Sequence, residues 1–142
     1  MNSFLRSLLC MLGLWLGTAH AGEDAPVVVI AHANVARVDA PTLQRLYMGR
    51  TIELAGVPVI VVNQRSASDI RQRFLRLVLD TDEERYTSYW TVRRHVGKGA
   101  PPREFSSAAE LIAYVQATPG AIGYVAATDV KPGMNVIYRA RP

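Results

Sequence analysis

The stretch with the most chemistry in it is Asn63–Arg73, NQRSASDIRQR. An apolar run, Val57–Val62, leads into it and a helical pattern follows. It therefore reads as the end of a strand, a short hydroxyl-bearing loop and the start of a helix. The first turn of a helix leaves N–H groups unpaired and carries partial positive charge. Ser66 and Ser68 add hydroxyl donors, and Arg65 and Arg71 add guanidinium groups capable of charge-assisted, bidentate bonds. Such a set could hold an oxyanion such as phosphate. The same residues also support a plainer reading, in which Ser66 or Ser68 caps its own helix and Asp69 complements the helix dipole. A carboxylate at Asp69 would compete with a bound anion.

Little other chemistry is on offer. Outside the N-terminal segment there is no cysteine, and His32 and His95 stand in no metal-ligand spacing. No G-x-S-x-G, P-loop or G-x-G-x-x-G motif occurs. Gly97-Lys98-Gly99 lacks the strand–turn–helix setting of a phosphate loop and reads as a plain turn. No catalytic constellation, cofactor or metal is expected, and the chain reads as a non-enzyme.

The elements that must position the loop can be followed along the chain. Pro26–His32 is β-branched and predicts a buried strand. Asp39 caps a helix with Pro41 in its first turn, Leu43, Leu46 and Tyr47 on its apolar face, and Gly49 as its stop. Val57–Val62 predicts a central strand covered on both faces. Ile70, Phe74, Leu77 and Val78 share one helical face. Thr81-x-x-Glu84 and Ser107-x-x-Glu110 are capping boxes for two further helices, with Pro101-Pro102 extended between them. Ala121–Ala126 and Met134–Tyr138 predict the last strands. The order β-α-β-α-α-α-β-β implies one α/β domain, a mixed sheet flanked by helices on both faces.

Arg6 followed by apolar Ser7–Gly17 and by Ala19-His20-Ala21 reads as a signal peptide, residues 1–21, with a mature domain spanning 22–142. The apolar run falls short of the roughly 20 residues a membrane span needs. Cys10, the single cysteine, falls in that segment, so the mature domain would hold together without disulfides. Losing Arg6 leaves 15 basic and 12 acidic residues. This mild excess suits small anions but lacks the dense basic stripe of a nucleic-acid binder.

Several segments together resemble the periplasmic phosphate-binding proteins of ABC transporters, in the type 2 periplasmic-binding-protein class. Leu43–Arg50 is similar to the family's helix ending in aromatic-x-Gly-basic, and Val57–Asn63 to the strand after it. Ser66-Ala67-Ser68 aligns with a Ser-Gly-Thr whose hydroxyls and backbone N–H groups contact phosphate. Tyr89-Trp90 matches an aromatic pair, and Pro119–Val125, PGAIGYV, is the nearest match. The resemblance implies a phosphate-like ligand at Ser66, Ala67 and Ser68, and a periplasmic location.

Two departures qualify it. Ala67 replaces the middle glycine, and Arg65 stands immediately before the motif where the family's arginine lies several residues earlier. Only Gly22–Pro26 would precede the first strand of the mature chain, so a single lobe of a two-lobed protein is expected. A lone lobe leaves its anion half exposed, where charge interactions are weaker. A second copy or another protein could supply the absent wall. Two functions are therefore expected to compete. One is oxyanion recognition at Arg65, Ser66, Ala67 and Ser68 with Arg71. The other is an envelope interaction or signalling domain, with a vestigial site, that contacts an inner-membrane transporter or sensor.

Overall fold

The computed structural model describes residues 25–141; the export segment expected at residues 1–21 and the mature start at Gly22 lie outside them. In chain order the elements are β1 (Val27–Ala31), α1 (Ala40–Tyr47), β2 (Glu53–Leu54), β3 (Val57–Pro58), β4 (Ile60–Val61) and β5 (Asn63–Gln64). There follow α2 (Asp69–Leu77), α3 (Glu83–His95), β6 (Glu104–Phe105), α4 (Ala108–Ala117), β7 (Ala121–Ala126) and β8 (Asn135–Arg139).

The main sheet has the order β4-β7-β1-β8. β1 pairs antiparallel with both β7 and β8, while β4 runs parallel to β7, so the sheet is mixed. All five residues of β1 are buried because both its faces are covered. Val27, Val29 and Ala31 point to one side, with Ile122 and Tyr124 of β7 and the apolar faces of α1, α2 and α3. Val28 and Ile30 point to the other, with Val62, Val125 and Leu111 and Val115 of α4. The alternation of side chains along a strand thus sorts one apolar run into two cores. The expected α/β class, with helices on both faces, is what the structure has.

The central-strand expectation for Val57–Val62 is corrected. The inner strands are β7 and β1, and Ile60 is 46% exposed on the edge strand β4. The run is extended but changes partners along its length. The Val59 N–H donates to Ile52, those of Ile60 and Val62 donate to Gly120 and Ile122, and that of Asn63 donates to Arg103. Pro58 has no N–H to add to a continuous ladder. β3 folds back on β2 around Ala55 and Gly56, both at positive φ (47° and 79°). β5 leaves the main sheet to pair in parallel with β6, a strand that no sequence signal announced.

Caps decide most helix starts. Asp39 accepts from the Thr42 N–H at 2.9 Å and Ser107 from the Glu110 N–H at 3.2 Å, as expected. At α3 the cap is Asp82 rather than Thr81, accepting from the Arg85 N–H at 2.9 Å. Gly120 turns α4 into β7 at φ +77°, and a Cβ there would lie 2.2 Å from the Pro58 carbonyl oxygen. Only glycine lets this turn approach the 57–62 segment so closely.

Candidate anion-binding site

A buried polar network fixes the strand end from which the hydroxyl loop departs. Asn63 and Gln64 are almost fully buried. The Asn63 amide donates to the Tyr86 hydroxyl at 3.1 Å, and Asn63 Oδ1 accepts from Tyr124 at 3.1 Å. The Gln64 N–H donates to the same Tyr124 oxygen at 3.1 Å, and its side chain donates to the Tyr124 carbonyl at 3.2 Å. Burial pushes the Tyr124 phenol well above its ordinary value, so it stays neutral and can donate. Its ring stacks on Phe74 of α2, with centroids 3.8 Å apart. Tyr124 therefore links the helix to the strand end.

The loop itself is exposed and turns tightly. Ala67 adopts φ +61°, the left-handed region that suits glycine. The Ser68 N–H donates to the Arg65 carbonyl at 3.3 Å, closing the turn. Ser68 is the N-cap residue of α2, but its side chain makes no capping bond. Its Oγ is buried and has no hydrogen-bond partner among the described residues. Simple serine capping, the plainer of the two sequence readings, is thus not how this helix begins. Asp69 instead faces Arg73 at 3.7 Å.

Arg71 is the anchor of the region and only 3% exposed. Its Nε and Nη2 donate to the two oxygens of Glu83 at 2.8 and 2.7 Å, a bidentate pair. Its Nη1 donates to the Gln64 carbonyl at 3.0 Å and to Glu104 Oε1 at 2.6 Å. The guanidinium also lies 5.5 Å from the Tyr86 ring centroid. Burial alone would disfavour the cation, but the two carboxylates outweigh it and raise the Arg71 pKa.

Glu104, on β6, completes the cluster. Besides the bond from Arg71, it accepts from Ser66 Oγ at 3.0 Å and from the Ser66 backbone N–H at 3.3 Å. Partial burial pushes its carboxyl up, yet the bonds from Arg71 and Ser66 prevail and hold it below the usual value. Beside this cluster lies a depression of about 240 Å³ lined by Ser66, Arg71, Thr87, Thr91, Arg94 and Glu104, among others. Thr87, Thr91 and Arg94 project from one side of α3, as their helical spacing requires. Arg94 is exposed and has no carboxylate partner among the described residues. A larger and more open hollow, about 610 Å³, lies between α2 and α3, where Arg76 and Arg85 alternate with Asp80, Asp82 and Glu84. Its mixed charges do not converge on one ligand type.

Of the residues singled out in the sequence, Ser66 and Arg71 converge on one point, which the Glu104 carboxylate occupies. Arg65 is exposed, and its backbone bonds to Phe105 across the β5–β6 ladder. Ala67 forms the turn, and Ser68 opens α2. Reading the sequence missed Glu104, Glu83, Thr87, Thr91 and Arg94. The α3 members share a helical face and were accessible to a periodicity argument. Glu104 was not, because it lies 38 residues from Ser66 in the chain. Among the described residues no group of three or more His, Cys, Asp or Glu is placed to hold a metal, and no helix is long and apolar enough to cross a membrane.

No family model matches the chain, and no curated protein matches it. Solved structures do. The chain is similar to an ABC-type phosphate transport receptor from Vibrio cholerae at 15% identity and TM-score 0.61. It is similar to a phosphate ABC transporter substrate-binding protein from Clostridium perfringens, with bound phosphate, at 18% identity and TM-score 0.63. PstS from Borrelia burgdorferi matches at 15% identity and TM-score 0.58. Each match covers 80% of this chain and 44–46% of the other, so this chain spans less than half the length of these neighbours. The fold is therefore similar to that of one lobe of such binding proteins.

Proposed function

We propose that this chain is a periplasmic solute-binding-like protein that takes a small oxyanion of the phosphate class at the β5–α2 junction. Ser66 and Arg71 supply the floor of the site, and the turn at Ala67 and Ser68 lies next to them in the chain. Arg65 stands at its exposed edge, and Arg94 with Thr91 lines the α3 side. One observation carries this reading. Ser66 N–H, Ser66 Oγ and Arg71 Nη1 already converge on a carboxylate, that of Glu104. A donor set that satisfies one oxyanion is shaped for another. Among the described residues no side chain caps the start of α2 and Ser68 Oγ has no partner, which leaves further donors beside the loop. The likeness to phosphate-binding lobes supports the same ligand class. On this reading the second wall of the site comes from a second copy or from a transporter or sensor at the inner membrane.

Calorimetric titration of residues 22–142 with phosphate, sulfate and molybdate tests the proposal. Saturable phosphate binding that Ser66→Ala and Ser68→Ala both weaken is the expected result. Binding that is absent, or indifferent to both substitutions, overturns it. What then remains is the envelope interaction domain, its anion site closed by its own carboxylate.

A further inference from the structure

Resting on that anion reading, we infer that Glu104 is an internal competitor: its carboxylate occupies the ligand's place on Ser66 and Arg71 and must swing out before an external anion can bind. Three donors from two segments, the loop and α2, meet on this one side chain. An incoming dianion would face both the steric block and the like charge of Glu104 while it stays there. The same group therefore sets how tightly the site binds.

The surroundings allow the exchange. Arg71 does not depend on Glu104 to be paired, because Glu83 holds it bidentately and Gln64 accepts a further bond. When Glu104 leaves, the buried cation keeps a counter-charge, and one position on Nη1 opens toward the pocket. The two carboxylates are not equally fixed. The Glu104 side chain is 44% exposed and accepts one bond from Arg71 and two from the exposed loop residue Ser66, whereas the Glu83 side chain is 32% exposed and accepts two from Arg71 and one from Thr87 of its own helix. Glu104 is thus the more readily rehydrated of the two.

The backbone need not move with it. Phe105, the next residue, is buried against Tyr114, with ring centroids 5.1 Å apart, and Arg103 stacks over both rings. The Arg65 N–H also holds the Phe105 carbonyl at 3.0 Å. β6 is pinned on either side of Glu104 while its side chain faces the depression. On the far wall, Arg94 is the guanidinium that can receive either the displaced carboxylate or the arriving anion.

The test compares phosphate affinity in wild type, Glu104→Gln and Glu104→Ala, each checked for fold by far-UV circular dichroism and thermal melting. Glutamine keeps the shape and removes the charge, while alanine removes the competitor altogether. Both variants should bind phosphate at least tenfold more tightly than wild type, while melting at a lower temperature. Opposite movements of affinity and stability separate a competitor from a merely structural tether. If wild type binds phosphate and both variants bind it equally or more weakly, the competitor is overturned and the anion reading stands. If no form binds phosphate, both fall together. Should either variant fail to fold, Glu104→Asp, one methylene too short to reach both partners, must show an intermediate gain or the inference fails.

Discussion

Replacing Arg71 by methionine removes the most buried charge of the molecule's polar cluster and keeps most of its apolar stem. The guanidinium makes four bonds: two to Glu83, one to Glu104 and one to the Gln64 carbonyl. Removing one partner of a fully buried ion pair typically costs about 3–5 kcal/mol. Here the carboxylates left behind are partly exposed, at 32% and 44% of their side chains, and can turn to water, so that figure must be reduced. The Gln64 carbonyl belongs to a buried residue and loses a donor, which adds roughly 1–3 kcal/mol. Methionine packing against Tyr86 recovers part of the total. The expected loss is about 2–4 kcal/mol. With an unfolding entropy near 2.1 cal/mol/K per residue over the described residues 25–141, this lowers Tm by about 8–16 °C. Urea and thermal denaturation measure it directly. The geometry also orders the partners: Glu83→Gln should cost more than Glu104→Gln, since Glu83 is the less exposed and holds Arg71 bidentately, whereas Glu104 accepts one bond from Arg71 and two from the exposed Ser66. An Arg71→Met variant within about 1 kcal/mol of wild type, or the reverse order of the two glutamates, would refute this account of the cluster.

Other consequences can be checked by the same denaturation assays. Gly120→Ala puts a Cβ 2.2 Å from the Pro58 carbonyl oxygen at φ +77°, and should destabilise by more than about 2 kcal/mol. Ala67→Gly relieves a left-handed alanine and should stabilise by roughly 0.5–1 kcal/mol, the residue's own strain less the added flexibility of the unfolded chain. Tyr124→Phe strands the Asn63 side-chain oxygen and the Gln64 N–H, both buried, and should cost about 1–3 kcal/mol. The Glu104 carboxyl is held below its ordinary value, so the folded state releases this proton more readily than the unfolded chain. Its contribution is complete above the unfolded value near 4.5 and is lost as pH falls through the lower folded value. Stability measured against pH should therefore decline below about 4.5, less steeply in Glu104→Gln; identical profiles would refute the assignment.

Much of the scaffold was legible in local chemistry. Asp39 and Ser107 announce their helices because a cap reaches only three residues along the chain. Val27–Ala31 and Ala121–Ala126 announce strands because β-branched and apolar runs state their own period. The α2 stripe containing Phe74 likewise states which side faces the core. The same locality explains the miss at Thr81, where two candidate caps are adjacent and only the backbone path, turning through Asp80 at φ +51°, selects Asp82.

What tertiary structure alone decided is who meets whom. An apolar run cannot say whether it lies at the centre or the edge of a sheet, and Val57–Val62 lies at the edge because β7 and β1 fill the two inner places and β4 pairs with β7 alone in that sheet. Arg71 carries no mark in the sequence that would distinguish a free ligand-binding arginine from one buried between two carboxylates. Glu104 becomes part of the site only because β6 pairs with β5 across a long chain separation. Residue type and helical spacing were enough to locate the loop and its donors. Whether those donors stand open or already hold the protein's own carboxylate depends on contacts between distant segments, which no local pattern encodes.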